Sequence, residues 1–131
     1  MSRELNLNCI KQWKKIILSG DVGNLEEIIH KNATFYSPVV FTPQVGKKKV
    51  VYYLSNAVKI FKYRDFKYTN IIKNENYFSA EFEAIFDKVI VNGIDIISTK
   101  HNLIYEFKVF LRPLQGIETV WKEMGKQLNT T

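Results

Sequence analysis

Asp95 stands in the apolar stretch Val89 to Ser98, "VIVNGIDIIS". A carboxyl group among such neighbours must find partners or change its protonation. A turn over Thr99 to Asn102 that pairs Ser98 with Leu103 sets Asp95 opposite Glu106, with Lys108 diagonal to both. Two facing carboxylates raise one pKa, whereas Lys108 or Arg112 would lower it, so both a proton-holding acid and a fixed anion stay open. Across the other hairpin, pairing Phe86 with Val89 puts Ala80 opposite Asp95 and leaves room over its carboxylate. Tyr36, Tyr53 and Tyr68 could add hydroxyls beside it, or serve as core aromatics. Arg112, just before Pro113, could reach the rim of a site or brace the terminal helix.

Other reactive side chains carry less. Cys9 has no Cys or His near it at metal-ligand spacing and reads as a small buried hydrophobe. His30 falls at a helix end and His101 in a hairpin turn, both surface positions.

The elements that must place Asp95 follow from periodicity. Cys9, Ile10, Trp13, Ile16 and Ile17 recur at three and four, which predicts a helix from about Leu5 to Leu18, stopped by "SGD". Asp21 can cap a second short helix through about His30, followed by an extended piece from Ala33 to Ser37. Val50, Tyr53, Leu54, Ala57, Val58 and Phe61 share one stripe, a third helix that opens on Lys47, Lys48 and Lys49. Then the period becomes two. Phe66 and Tyr68, Phe78 to Phe86, Val89 to Ser98 and Leu103 to Arg112 read as four antiparallel strands, and "LQGIETVWKEMGKQL" as a terminal helix burying Ile117, Trp121 and Met124. The fold class is α+β, and 131 residues without a linker or repeat predict one domain, 1–131.

Between Pro38 and Pro43 lies "VVFT", too apolar for an ordinary exposed connection. The prolines hold it in extended and turn geometry, and Val39 to Phe41 are expected to wall a space between sheet and third helix. The net charge of +6 is spread along the chain and mostly Lys, which argues against nucleic acid as a partner. The amino terminus has neither a signal-peptide core nor a membrane span, so a soluble cytoplasmic protein is expected.

The "SGD" between helices, the "SPVVFTP" loop followed by Gly46 and a helix, the "NGID" strand and the "FLRP" ending together resemble the SnoaL-like branch of the nuclear transport factor 2-like superfamily. The likeness spans nearly the whole chain. It implies a cone with a cystatin-like curved sheet, a cavity for a small apolar or aromatic ligand, no metal or redox cofactor, and a homodimer through the outer sheet face. One sheet face would carry Phe82, Val91, Asp95 and Ile97, and the other Ile94, Ile96, Leu103, Tyr105 and Phe107. The second needs a cover.

The superfamily includes ketosteroid isomerase, limonene epoxide hydrolase, polyketide cyclases and scytalone dehydratase, so individual positions must separate them. The position of the isomerase base, before the first loop proline, holds Ser37, and the first oxyanion-hole Tyr falls on Trp13. The second oxyanion-hole group, a protonated Asp, falls on Asp95. The epoxide hydrolase Arg falls on Gly93, and its second Asp falls near Val109. Cyclases place an acid-base Asp at or near Asp95. The resemblance therefore implies Asp95 as the proton-transfer group, with Trp13, Tyr36, Ser37, Phe41, Tyr53, Tyr68, Phe82 and Arg112 toward the ligand. The alternative is a non-catalytic dimeric module whose cone is filled by Trp13, Phe41, Phe78, Phe82 and Phe86.

Overall fold

The computed structural model describes residues 2–129, and the side chains of 9–127. Helix α1 (Ser2–Ser19) leads through a short 3-10 turn (Leu25–Ile28) into strand β1 (Ile29–Tyr36). After the proline loop come β2 (Gln44–Val45) and α2 (Lys47–Phe61). Strands β3 (Lys67–Lys73), β4 (Tyr77–Phe86), β5 (Val89–Lys100) and β6 (Leu103–Arg112) precede helix α3 (Leu114–Asn129). The architecture is α+β: one curved six-stranded sheet, ordered β2-β1-β6-β5-β4-β3, with three helices. Among the described residues no helix is long and apolar enough to cross a membrane.

Strict alternation builds the inner face. Along β4, Phe78, Ala80, Phe82, Ala84 and Phe86 are buried, and along β5 Val91, Gly93, Asp95, Ile97 and Thr99 join them. Side chains on successive strand residues point to opposite faces, so one register fixes the whole set. Trp13 and Ile17 of α1 and Leu54 and Val58 of α2 belong to the same core. Gly46 has φ 104, a conformation that glycine adopts without strain, and its N–H bonds the Ala33 carbonyl as the chain enters α2. Gly116 in turn lets α3 approach Val91 of β5, where a Cβ would stand 3.3 Å from the valine methyl.

Several expectations are corrected. The second helix shrinks to the 3-10 turn, because the Asp21 carboxylate accepts the Gly23 N–H in a local turn and strand pairing begins at Ile29. That strand runs parallel to β6, so the four-stranded meander grows at its far edge into six strands. The β5–β6 turn is two residues long, not four: His101 and Asn102 both have positive φ, and Lys100 pairs with Leu103. This is the backbone of a type I′ hairpin. An irregularity between Ser98 and Thr99 also shifts the ladder, so Asp95 faces Val109 and Glu106 faces Ser98. Phe107 turns inward and is buried, contrary to its expected place on the outer face. On α3 it is Val120 that is buried, while Trp121 is exposed.

Candidate active site

With Val109 across one neighbouring strand and Ala80 across the other, Asp95 has no charged cross-strand partner. It is 4% exposed. Burial pushes its carboxyl up to about 7, opposed by a hydrogen bond from Tyr68 that favours the anion. The Tyr68 hydroxyl donates to Asp95 Oδ2 at 2.6 Å and accepts the Trp13 indole N–H at 2.9 Å. One chain of hydrogen bonds therefore runs from α1 through β3 to β5. Burial and the neighbouring carboxyl hold the Tyr68 hydroxyl well above its ordinary range, so it stays a donor. Oδ1 of Asp95 has no hydrogen-bond partner among the described residues.

Asp95 lines a cavity of ≈ 130 Å³ between the sheet and the helices. Its walls are mostly aromatic and aliphatic, with Trp13, Phe35, Tyr53, Phe61, Phe82 and Phe107 contributing rings. Trp13 meets Phe107 edge-on at 4.9 Å between centroids, and Phe35 stacks on Tyr53 at 6.1 Å. Among its described lining residues none is Lys, Arg or His, and Asp95 carries the sole carboxyl. Elsewhere among the described residues no three His, Cys, Asp or Glu side chains could together hold a metal ion.

The proposed ligand contacts divide cleanly. Trp13, Ser37, Tyr53, Phe82 and Asp95 line the cavity, and Tyr68 joins them through Asp95. Three do not. The Tyr36 hydroxyl donates to Glu106 Oε2 at 3.3 Å beneath the Lys108 ammonium, because β1 alternation turns Phe35 inward and Tyr36 away. Phe41 is fully exposed: the loop wall is made by Pro38, Val39 and Val40, and the chain has already turned outward. Arg112 donates to Asn92 Oδ1 at 3.3 Å, away from the cavity.

Ser37 is held by backbone. Its Oγ accepts the N–H groups of Val39 at 3.1 Å and Val40 at 3.2 Å, which fixes the first bend of the proline loop. Gly93 is equally committed, since the Phe82 ring and the Phe110 carbonyl occupy the space a Cβ would need. No side chain larger than hydrogen fits there without displacing Phe82. Trp121, Val120 and Met124 of α3 also line the cavity. The expectation for Ile117, Trp121 and Met124 is burial by the terminal helix. The three-and-four spacing that marked them was a signal for facing the cone and could not distinguish packed core from cavity wall.

Comparison with solved structures agrees with the fold. A steroid delta-isomerase from Pseudomonas aeruginosa superimposes with a TM-score of 0.90 at 26% identity, over 96% of this chain and 93% of that one. A cystatin-like-fold protein from Silicibacter pomeroyi DSS-3 gives 0.84 at 20% identity, over 93% of this chain and 86% of that one. A nuclear transport factor 2-like protein of unknown function from Mesorhizobium loti gives 0.76 at 14% identity, over 86% and 95% respectively. No protein-family model matches the chain, and no curated protein does.

Proposed function

Because this chain is a member of the nuclear transport factor 2-like superfamily, we propose that it binds a small apolar or aromatic ligand in the cone and moves a proton on it with Asp95. Within the superfamily we assign it to the SnoaL-like branch. The observation that carries the reading is the single carboxyl, raised to about 7, set in an otherwise apolar cavity. A group with that pKa populates both forms near neutral pH, as general acid-base chemistry requires.

The reaction class that fits is an isomerase- or cyclase-type shift within one bound molecule. Asp95 as carboxylate takes a proton from an acidified carbon, and the resulting carboxylic acid returns it to another atom of the same ligand. No net proton is consumed. Ser37, at the place where isomerases of this fold carry their base, already uses its oxygen to accept two backbone N–H groups and is no second base. The likeness to a steroid delta-isomerase supports the class of reaction. Exposed Ile90 and Phe110 on the strands support a second copy of the chain covering the outer sheet face.

Double-bond migration tests the proposal without knowledge of the natural substrate. A β,γ-unsaturated cyclohexenone is incubated with the protein, and its conversion to the conjugated α,β-isomer is followed by proton NMR. Conversion above the buffer rate should fall by about a hundredfold or more in Asp95→Asn. Equal conversion in parent and variant would remove Asp95 from the chemistry.

A further inference from the structure

Two residues that line the cavity are also exposed: Val40 of the proline loop, at 42%, and Trp121 of α3, at 60%. Beside them in the lining, Pro38, Val39, Met124 and Gly125 are half-buried, and Val120, next to Trp121, is buried. The mouth therefore lies between the loop and α3, framed by one valine and one indole. At ≈ 130 Å³ the space behind it is close to that of the apolar cavity of about 150 Å³ known to hold benzene. That is room for one ring, against four in a steroid nucleus.

The polar content of the cavity narrows the ligand further. Trp13 N–H is committed to Tyr68, the Tyr68 hydroxyl to Asp95, and the Ser37 oxygen to its own loop. Asp95 Oδ1 and the Tyr53 hydroxyl have no hydrogen-bond partner among the described residues. With no cationic side chain in the lining, a carboxylate or phosphate ligand would be desolvated without a counter-charge. A neutral ring bearing one hydroxyl or carbonyl oxygen meets no such penalty.

We infer that Trp121 is the specificity-determining residue of this site, and that it closes the cone on neutral single-ring ligands carrying one hydrogen-bonding oxygen. The inference rests on reading the cavity as a ligand site. An indole across the mouth sets the depth available, and its removal extends the space toward solvent instead of opening a void in the core. Trp121 is exposed, so its truncation leaves the buried packing of Val120 and Gly116 in place.

Calorimetric titration with phenol and 1-naphthol separates the outcomes, using the parent, Trp121→Ala and Trp121→Phe. Naphthol is the more hydrophobic probe and would bind more tightly to an unrestricted apolar site. The parent should instead favour phenol by about tenfold or more, Trp121→Ala should shift that ratio toward naphthol by at least about tenfold, and Trp121→Phe should keep the parent's preference. Naphthol binding the parent as well as phenol, or a ratio unmoved in Trp121→Ala, overturns the role of Trp121. If neither probe binds any of the three proteins, the ligand-site reading falls and takes this inference with it.

Discussion

The Tyr68 hydroxyl reaches Asp95 Oδ2 at 2.6 Å while its own oxygen accepts the Trp13 N–H. Tyr68 is thus the central member of a three-residue line, and the bond it gives is the one contact that draws the Asp95 pKa down against burial. Replacing it with Phe should raise the Asp95 pKa above the parent's value, as read by carbon-13 NMR of the carboxyl. It should also leave the Trp13 N–H unpaired and destabilise the fold by about 1–3 kcal/mol.

The same carboxyl predicts how stability follows pH. Folded Asp95 titrates at about 7, against about 3.9 in an unfolded chain. Between those values the folded state holds a proton that the unfolded state has released, so stability falls as pH rises. The contribution is complete below about pH 4 and gone above about pH 7, a difference of about 4 kcal/mol. Urea denaturation of the parent and of Asp95→Asn should show curves that converge at low pH and separate across this window. A constant offset between them would mean that Asp95 is charged throughout.

Phe82 and Gly93 make a matched pair. The ring lies where a residue-93 side chain would go, so Gly93→Ala should displace Phe82 and destabilise by about 1–3 kcal/mol in chemical denaturation. Shortening the ring as well, in Gly93→Ala with Phe82→Leu, should recover part of that loss. If the double variant is as unstable as the sum of the two single ones, the clash is not what glycine avoids.

Ser37 should behave as a loop brace. Ser37→Ala removes the acceptor for two backbone N–H groups and should lower stability by about 1 kcal/mol, while leaving the Asp95 titration where it is. A shift of the Asp95 pKa in this variant, followed by the same carbon-13 signal, would show that Ser37 acts on the carboxyl.

What the sequence made legible depended on whether a residue's fate was local. Alternation placed Phe78 to Phe86 and Asp95 on the inner face correctly, and the pairing of Ala80 with Asp95 followed from one tight turn. The β5–β6 register did not. It depended on His101 and Asn102 both adopting positive φ and on an irregularity at Ser98, neither of which polarity reveals. The consequence reached the site, for it replaced Glu106 with Val109 opposite Asp95 and turned an open question of charge balance into one of burial. Tyr36 and Phe41 were misplaced for a related reason, since an aromatic residue near a proline loop reads alike whether it faces cavity, sheet exterior or solvent. The parallel pairing of β1 with β6 joins segments about seventy residues apart and leaves no mark in either one alone.

The chain has two tryptophans, and both Trp13 and Trp121 line the cavity. One is buried and the other sits in water, so they emit at different wavelengths. The protein accordingly carries a built-in optical gauge with a shielded channel at the floor of the cone and a hydrated one at its rim, and no label need be attached to read either.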